Sequence, residues 1–285
     1  MFDGFTRESI KAGAVTVNTV YGGNGPPVLL LHGFPQTHVM WHKIAPALAQ
    51  HFTVVVTDLR GYGDSDKPAG GGDHSAYSKR VMAQDQVEVM TRLGFERFAV
   101  VGHDRGGRVA HRLALDHSNR VTKLVVVDIV PTLKVYESMD ARLAQKYWHW
   151  FFLALPGGIP ETIIGNSADY FMTQFFRLAP EGTFTSEAQA EYRRCFPAML
   201  PAGCEDFRAG GSIDLQHDRD DRGWKVACPV RALWGTTGNV VPFFDALEVW
   251  RERAPHVEGR ALPGGHSLAE ENPDDTVREL RGFLA

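Results

Sequence analysis

The clearest candidate for chemistry is the segment 102–107, which reads Gly-His-Asp-Arg-Gly-Gly. A Gly-x-nucleophile-x-Gly pattern between a strand and a helix places its central side chain on a sharp turn at the start of the helix. The central residue here is Asp104 where many such sequences have serine, and the helix dipole favours its ionised form. A carboxylate in this position displaces a leaving group from sp³ carbon and is itself converted to an ester. Taken alone, Asp104 could equally be a helix cap.

Hydrolysis of such an ester requires a general base, and His266 is the candidate. It lies in a glycine-rich stretch near the carboxyl end, 263–267, and its ordinary pKa is close to working pH. Asp128, which follows an apolar run, is the preferred acid to orient and stabilise the imidazole. The loop 236–240 offers no carboxylate, and Asp245 is the alternative acid.

An oxyanion hole is the remaining requirement for ester hydrolysis. The segment 32–35, His-Gly-Phe-Pro, follows an early apolar run and is typical of the loop that supplies one backbone N–H. The residue after the nucleophile supplies the other. We assign these backbone roles to Phe34 and Arg105; the alternative is an ordinary turn.

Five short apolar runs would form the strands that position these residues, and each ends at a glycine or a polar residue. They are 28–31, 52–57, 98–101, 124–127 and 230–234. Helical spacing is clearest at 105–116, between two of the runs. Such alternation predicts a parallel sheet, and most of the candidate residues follow strand ends, where ligands bind in open α/β sheets.

The stretch 133–221 differs from the rest of the chain. It lacks β-branched runs, is rich in aromatic residues, and contains five prolines that we expect to break it into short helices. They are Pro156, Pro160, Pro180, Pro197 and Pro201. We therefore predict an α/β-hydrolase fold, a mostly parallel sheet with an inserted helical cap. The core would comprise 1–132 and 222–285, and the cap 133–221.

Composition excludes several other classes of function. Hydrophobic residues make up 44% of the chain and the net charge is −4, so no basic field attracts nucleic acid or an anionic membrane. The start, 1–11, has no apolar signal-peptide core, and charges interrupt every apolar run. The three cysteines have no metal-type spacing. We expect a cytoplasmic protein with free thiols and no metal or organic cofactor.

Several segments resemble the haloacetate dehalogenases, particularly the fluoroacetate dehalogenase group. They are 32–42, 61–63, 102–109, 112–116, 128–132, 149–150 and 204–206. The resemblance covers nearly the whole chain and is weakest at 166–190. It implies hydrolysis of haloacetates to 2-hydroxy acids through an aspartyl ester, and a homodimer. The implied roles are Asp104 as nucleophile, His266 as base, Asp128 as acid, Arg105 and Arg108 as ligands of the substrate carboxylate, and His149 and Trp150 as ligands of the departing halide.

The two arginines also have independent physical support. Arg105 and Arg108 are three residues apart and share one helical face, which suits a fork for a small carboxylate. Two cations in a first helical turn oppose the helix dipole, and a local rule broken beside a nucleophile suggests function. The alternative is a solvated basic face that includes Arg112. For His149 and Trp150, the alternative is that the aromatic run 147–152 is only cap core.

One position departs from the family pattern. Defluorinating relatives usually have tyrosine after Glu-Asp in the segment that starts at Cys204, as a third halide donor, whereas this chain has Phe207. A hydrogen bond to a charged group contributes roughly 1.5–3 kcal/mol. Its loss predicts a chemical step slower by about ten- to a hundredfold, with fluoride affected most. We therefore expect activity on chloroacetate and bromoacetate, and weak defluorination.

Two other functions remain open at this point. An epoxide hydrolase would use the same aspartate but needs acidic cap tyrosines, for which Tyr147, Tyr170 and Tyr192 are candidates. The two arginines argue against it, because a neutral epoxide needs no carboxylate ligand. A non-catalytic binding protein with an α/β-hydrolase fold is the other alternative, although all three members of the catalytic set are present.

Overall fold

A single eight-stranded sheet forms the centre of the protein in the computed structural model, which describes every residue from Met1 to Ala285. The strands are β1 (Thr6–Ala12), β2 (Val15–Gly22), β3 (Pro27–Leu31), β4 (Thr53–Thr57), β5 (Phe98–His103), β6 (Val121–Val127), β7 (Val230–Gly235) and β8 (Val257–Leu262). Their order across the sheet is β1-β2-β4-β3-β5-β6-β7-β8. β1 and β2 pair antiparallel, β2 runs antiparallel to β4, and the remaining six strands are parallel.

Thirteen helices accompany the sheet. They are α1 (Ala45–Leu48), α2 (Lys79–Arg92), α3 (Asp104–Asp116), α4 (Thr132–Glu137), α5 (Ala141–Lys146), α6 (Trp148–Leu153), α7 (Ile159–Gly165), α8 (Ala168–Phe176), α9 (Ser186–Gly210), α10 (Ile213–Asp220), α11 (Ala246–Arg251), α12 (Leu268–Glu271) and α13 (Pro273–Leu284). Two short 3₁₀ turns occupy His38–Trp41 and Ser75–Tyr77. None of the helices has both the length and the apolar character needed to cross a bilayer.

The predicted fold class is confirmed, and each of the five apolar runs lies in a strand. β5 is buried along its whole length, as a central strand of a sheet covered on both faces must be. The sequence analysis did not define β1, β2 or β8. β1 reads Thr-Arg-Glu-Ser-Ile-Lys-Ala and is mostly exposed, so this edge strand has no apolar run to mark it.

The segment between β6 and β7 contains only helices, α4 to α10. The expectation that prolines break it into short helices is wrong for Pro197 and Pro201, which lie inside the 25-residue helix α9. A proline inside a helix costs roughly 3 kcal/mol, but α9 packs against α6, α7, α8 and α10. Burial along α9 therefore outweighs the two lost hydrogen bonds. The division of the chain into core and cap stays a prediction.

Candidate active site

Asp104 stands on a strained turn between β5 and α3. Its φ is +46°, in the left-handed region that an aspartate rarely adopts. Close packing around the turn requires glycine: a Cβ on Gly106 would lie 2.3 Å from the carbonyl oxygen of His32, and one on Gly102 would lie 2.4 Å from that of Gly106. The turn directs the carboxylate into a cavity above the carboxyl ends of the strands.

His266 lies between two carboxylates. Its Nδ1 donates to Oδ2 of Asp128 at 2.6 Å, and its Nε2 lies 3.8 Å from Oδ2 of Asp104. Asp128 is buried and also accepts from the backbone N–H groups of Gly235 and Asn239 at 3.2 and 3.0 Å. The alternative acid, Asp245, is exposed and accepts the N–H of Glu248 as the cap of α11. The structure therefore brings Asp128 to His266 and leaves Asp245 outside the site.

The electrostatics of this group stabilise an ion pair. Burial alone would raise the pKa of Asp104, but His266, whose Nε2 lies 3.8 Å away, and the charge of Arg108 hold that pKa below its ordinary value. Burial would likewise lower the pKa of His266, but its two carboxylate partners raise it to about 10. The neighbouring imidazole of His103 has a pKa lowered to about 4 by burial and by the charge of His266.

The loop before α1 passes directly over Asp104. A Cβ on Gly33 would lie 2.6 Å from the Cβ of Asp104, so only glycine fits there. The backbone N–H of Gly106 donates to the His32 carbonyl at 2.8 Å and ties the loop to α3. The N–H groups of Phe34 and Arg105 have no acceptor among the hydrogen bonds of the loops and helix caps. Two unused backbone donors therefore lie in the segments next to Gly33 and Asp104.

A cavity of about 500 Å³ opens above Asp104. Its walls combine the loops at the strand ends with side chains from α5, α6, α8 and α9. They are Phe34, Pro35, Asp104, Arg108, Asp128, Ile129, Gln145, Lys146, Tyr147, Trp148, His149, Trp150, Tyr170, Phe171, Gln174, Phe175, Leu178, Phe207, Asn239 and His266. Pockets of this size and mixed lining bind small organic molecules.

Arg108 and Arg105 do not form the expected fork in this structure. Arg108 lines the cavity; its Nη1 donates to the Val130 carbonyl and to Oγ1 of Thr132, while its Nη2 has no protein partner. Arg105 is buried outside the cavity lining, and its Nε and Nη2 donate to Asp206 at 2.9 and 2.7 Å. Arg105 is held by Asp206 and does not line the cavity, so Arg108 is the cation that the cavity presents.

The residues expected at the halide site lie together. Trp150 is buried with its ring 4.5 Å from the Arg108 guanidinium carbon, and neither Trp150 nor His149 donates a ring hydrogen bond to the protein. Phe207 lies next to both rings, at centroid distances of 6.1 Å to His149 and 6.4 Å to Trp150. Its other face covers the Arg105 guanidinium at 4.4 Å. Phe207 therefore places an apolar edge where a third donor would stand, and it separates Arg105 from the cavity.

The three candidate cap tyrosines have different surroundings. Tyr147 and Tyr170 line the cavity, the first buried and the second exposed. Burial raises the pKa of Tyr147. The hydroxyl of Tyr192 instead lies 3.3 Å from the Glu270 carboxylate, outside the cavity lining. Two of the three could thus reach a bound molecule.

Asp206 is the main residue of the site region to which the sequence analysis assigned no role. It accepts from Arg105, from Lys79 on α2 and from the hydroxyl of Tyr62 at 2.6 Å. Burial raises the pKa of Asp206, but the charges of Arg105 and Lys79 outweigh that and lower it. The sequence did contain a signal for Asp206, because Glu-Asp belongs to the family motif that starts at Cys204. Only the fold shows that Asp206 binds Arg105.

Comparison with known proteins gives a consistent result. The family model described as the alpha/beta hydrolase fold matches residues 26–273. A fluoroacetate dehalogenase from Burkholderia sp is 48% identical over 290 residues, covering 100% of this chain and 95% of that protein. A soluble epoxide hydrolase from Corynebacterium sp. (strain C12) is 34% identical, covering 98% of this chain and 97% of that protein.

Among solved structures, an α/β hydrolase from Nostoc sp PCC 7120 superimposes with a TM-score of 0.98 and 53% identity, covering 100% of this chain and 99% of that one. The match therefore extends from the sheet to the helices over the cavity. The chain belongs to the α/β-hydrolase fold family and, within it, is a relative of the haloacetate dehalogenases.

Proposed function

We propose that this protein hydrolyses haloacetates to 2-hydroxy acids, with Asp104 as nucleophile, His266 as base and Asp128 as acid. The observation that carries the proposal is the position of Arg108. It is a buried cation with an unused Nη2, in the same cavity as the Asp104 carboxylate and two unpaired ring donors. A cation there suits an anionic substrate, and aromatic N–H groups suit a halide that gains charge as it leaves.

In the first step, Arg108 binds the substrate carboxylate and the α-carbon lies over Asp104. Oδ of Asp104 attacks that carbon, the carbon–halogen bond breaks with its electron pair on the halide, and an ester forms on the enzyme. His149 and Trp150 donate to the departing anion. Arg105, whose guanidinium binds Asp206, contributes its backbone N–H rather than a direct contact with the carboxylate.

In the second step, His266 takes a proton from water, and the hydroxide attacks the carbonyl carbon of the Asp104 ester. The N–H groups of Phe34 and Arg105 stabilise the oxyanion. The intermediate then collapses, the bond from the former ester carbonyl carbon to the alkoxy oxygen breaks, and His266 returns its proton to that oxygen. The 2-hydroxy acid leaves, and the Asp104 carboxyl group ionises again. Esterification removes the negative charge of Asp104, which is one of the two causes of the raised pKa of His266. Once that charge is gone, the imidazolium of His266 releases its proton to solvent, and the neutral imidazole is then the base for the second step.

The pKa of His266 gives a direct test of this coupling. In the free enzyme it is about 10, so the imidazole is protonated at neutral pH. We expect Asp104→Asn, which mimics the neutral ester, to lower that pKa by roughly one to three units, because an adjacent anion no longer favours imidazolium. NMR titration of His266 in both proteins measures it. Equal pKa values would show that Asp104 does not control the base.

The proposed activity is tested by halide release from fluoroacetate, chloroacetate and bromoacetate, with styrene oxide as the neutral comparison substrate. We expect release from chloroacetate and bromoacetate and little turnover of the epoxide, since Arg108 has no role with a neutral molecule. Turnover of styrene oxide without any halide release would reject the dehalogenase proposal.

Phe207→Tyr should restore a donor beside His149 and Trp150. We expect the ratio of fluoride to chloride release to rise about ten- to a hundredfold, because fluoride is the strongest hydrogen-bond acceptor of the halides and the poorest leaving group. Phe175→Tyr, at another aromatic position of the cavity, is the matched control and should leave the ratio unchanged. An unchanged ratio in Phe207→Tyr would reject the explanation of weak defluorination.

Epoxide hydrolysis is the second candidate, favoured by Tyr147 and Tyr170 at the cavity and by the similarity to the Corynebacterium enzyme. Either phenol could protonate an opening oxygen. A buried arginine in the cavity favours the haloacid instead. A non-catalytic binding role would give no purpose to the arrangement of Asp104, His266 and Asp128.

We also propose that the protein works in the cytoplasm as a homodimer. Its three cysteines, Cys195, Cys204 and Cys228, are all free thiols, which suits a reducing compartment. The dimer follows from the family resemblance, and sedimentation of the purified protein tests it.

A further inference from the structure

The loop that presents His266 is fixed by a residue outside the catalytic set. The carboxylate of Glu271 accepts from the backbone N–H of Gly265 at 2.6 Å through one oxygen and from that of Ser267 at 2.8 Å through the other. These two residues flank His266 on either side. A single side chain thus holds, by two hydrogen bonds, the peptide segment from which the imidazole projects.

The same short segment is held at other points by weaker, neutral hydrogen bonds. The His266 carbonyl accepts from Nε2 of His103 at 2.9 Å, and the Gly264 carbonyl accepts from the N–H and the hydroxyl of Thr237, both at 3.0 Å. Gly264 has a φ of +134°, so the chain bends sharply just before the histidine. Glu271 makes charge-assisted contacts with the backbone of this bend, and such bonds are shorter and stronger than neutral ones.

The position of Glu271 in the chain explains how it reaches both groups. It ends the four-residue helix α12, which starts two residues after His266, and its own N–H donates to the Ser267 carbonyl at 2.9 Å. A Cβ on Gly265 would lie 3.0 Å from the Glu271 carboxylate oxygens, so glycine permits the close approach. Contacts of Glu271 therefore hold the backbone on both sides of His266.

We propose that Glu271 is a positioning residue that sets the direction of His266 toward water in the second step. This rests on the proposed two-step dehalogenation. Only that step needs Nε2 of His266 as a base, whereas attack on the α-carbon uses the Asp104 carboxylate, Arg108 and the halide donors and needs no base. A misplacement of about 1 Å can cost roughly a hundredfold in rate. Loss of Glu271 should therefore slow ester hydrolysis and spare ester formation.

The test is a rapid-quench measurement of chloride release from chloroacetate by the full-length protein and by Glu271→Ala and Glu271→Gln. We expect both variants to release about one equivalent of halide at a rate within about threefold of the parent protein. Steady-state turnover should then fall roughly ten- to a hundredfold in Glu271→Ala, with the ester detected by mass spectrometry. Glu271→Gln keeps one acceptor oxygen and should lose less.

Asp275→Asn is the matched control. Asp275 is a nearby acid that accepts from Asn272 and pairs with Arg278, with no contact to the histidine loop. It should turn over like the parent protein. If both steps slow equally in the Glu271 variants, or if neither slows, the positioning role is rejected. If Glu271→Ala does not fold, Glu271→Gln decides by the same criteria.

A second measurement separates this inference from the dehalogenase proposal. The proton shared by Nδ1 of His266 and Asp128 should give a downfield NMR resonance without substrate, because the N···O distance is 2.6 Å. We expect that resonance to broaden or shift in both Glu271 variants and not in Asp275→Asn. A parent protein that releases no halide would reject the proposed function, while an unchanged resonance would independently reject the role of Glu271.

Discussion

Asp104→Ala is expected to abolish halide release, with a loss in kcat of roughly 10⁴-fold or more, as for the nucleophile of other covalent hydrolases. The ordinary role of an aspartate at a helix start is capping, and removal of a cap costs only about 1 kcal/mol of stability. The variant should therefore remain folded while inactive. Halide release from chloroacetate and the thermal unfolding midpoint, measured together, separate the two roles.

Asp245→Asn is the control for this experiment. Asp245 is an exposed carboxylate that caps α11 and was the alternative acid from the sequence. It should retain full activity with a small loss of stability. If Asp104→Ala retains halide release, the aspartyl-ester mechanism is wrong and water must attack the substrate directly.

His266→Asn is expected to separate the two chemical steps. Without the imidazole, Asp104 still has its carboxylate and can displace one halide, but no base remains to activate water. We expect a single turnover, a loss in kcat of roughly 10³-fold or more, and a stable adduct with the mass of one carboxymethyl group on the peptide that contains Asp104.

His256→Asn, an exposed histidine far from the cavity lining, is the matched control and should turn over normally without an adduct. An inactive His266→Asn protein with no adduct would place His266 in the first step. Continued turnover without the imidazole would show that His266 is not the base.

Residues whose roles depend on the local chain were predictable from the sequence. The glycines around Asp104 are needed for the turn, and the apolar run before them is a central strand, so the sharp turn that carries Asp104 follows from a short segment. Asp128 was preferred over Asp245 because it follows a strand end, and the structure places it 2.6 Å from Nδ1 of His266. Strand-end positions meet at one edge of a parallel sheet whatever the loops do.

Roles that depend on distant contacts were not predictable in this way. Arg105 and Arg108 lie on the same face of a helical wheel, so the sequence does not distinguish them. Only the packing of α9 shows that Asp206 binds Arg105. Pro197 and Pro201 signal helix breaks locally, yet the burial of α9 overrides them. Glu271 contacts backbone N–H groups, which every non-proline residue carries. The identity of the neighbouring residues therefore could not predict these contacts.

The contact between Arg105 and Asp206 also bears on how a substrate enters. It joins α3, which carries the nucleophile, to α9, which covers the cavity, and Lys79 on α2 adds a second bond to the same carboxylate. Breaking a buried ion pair costs roughly 3–5 kcal/mol, so states in which α9 has moved away would be populated at about one part in 150 to one part in 5,000. Haloacid and halide should therefore enter and leave at the rim of the cavity, where Leu178 and Tyr170 are exposed. Side-chain motion on nanosecond timescales would open this route, and no hinge motion of α9 would be needed.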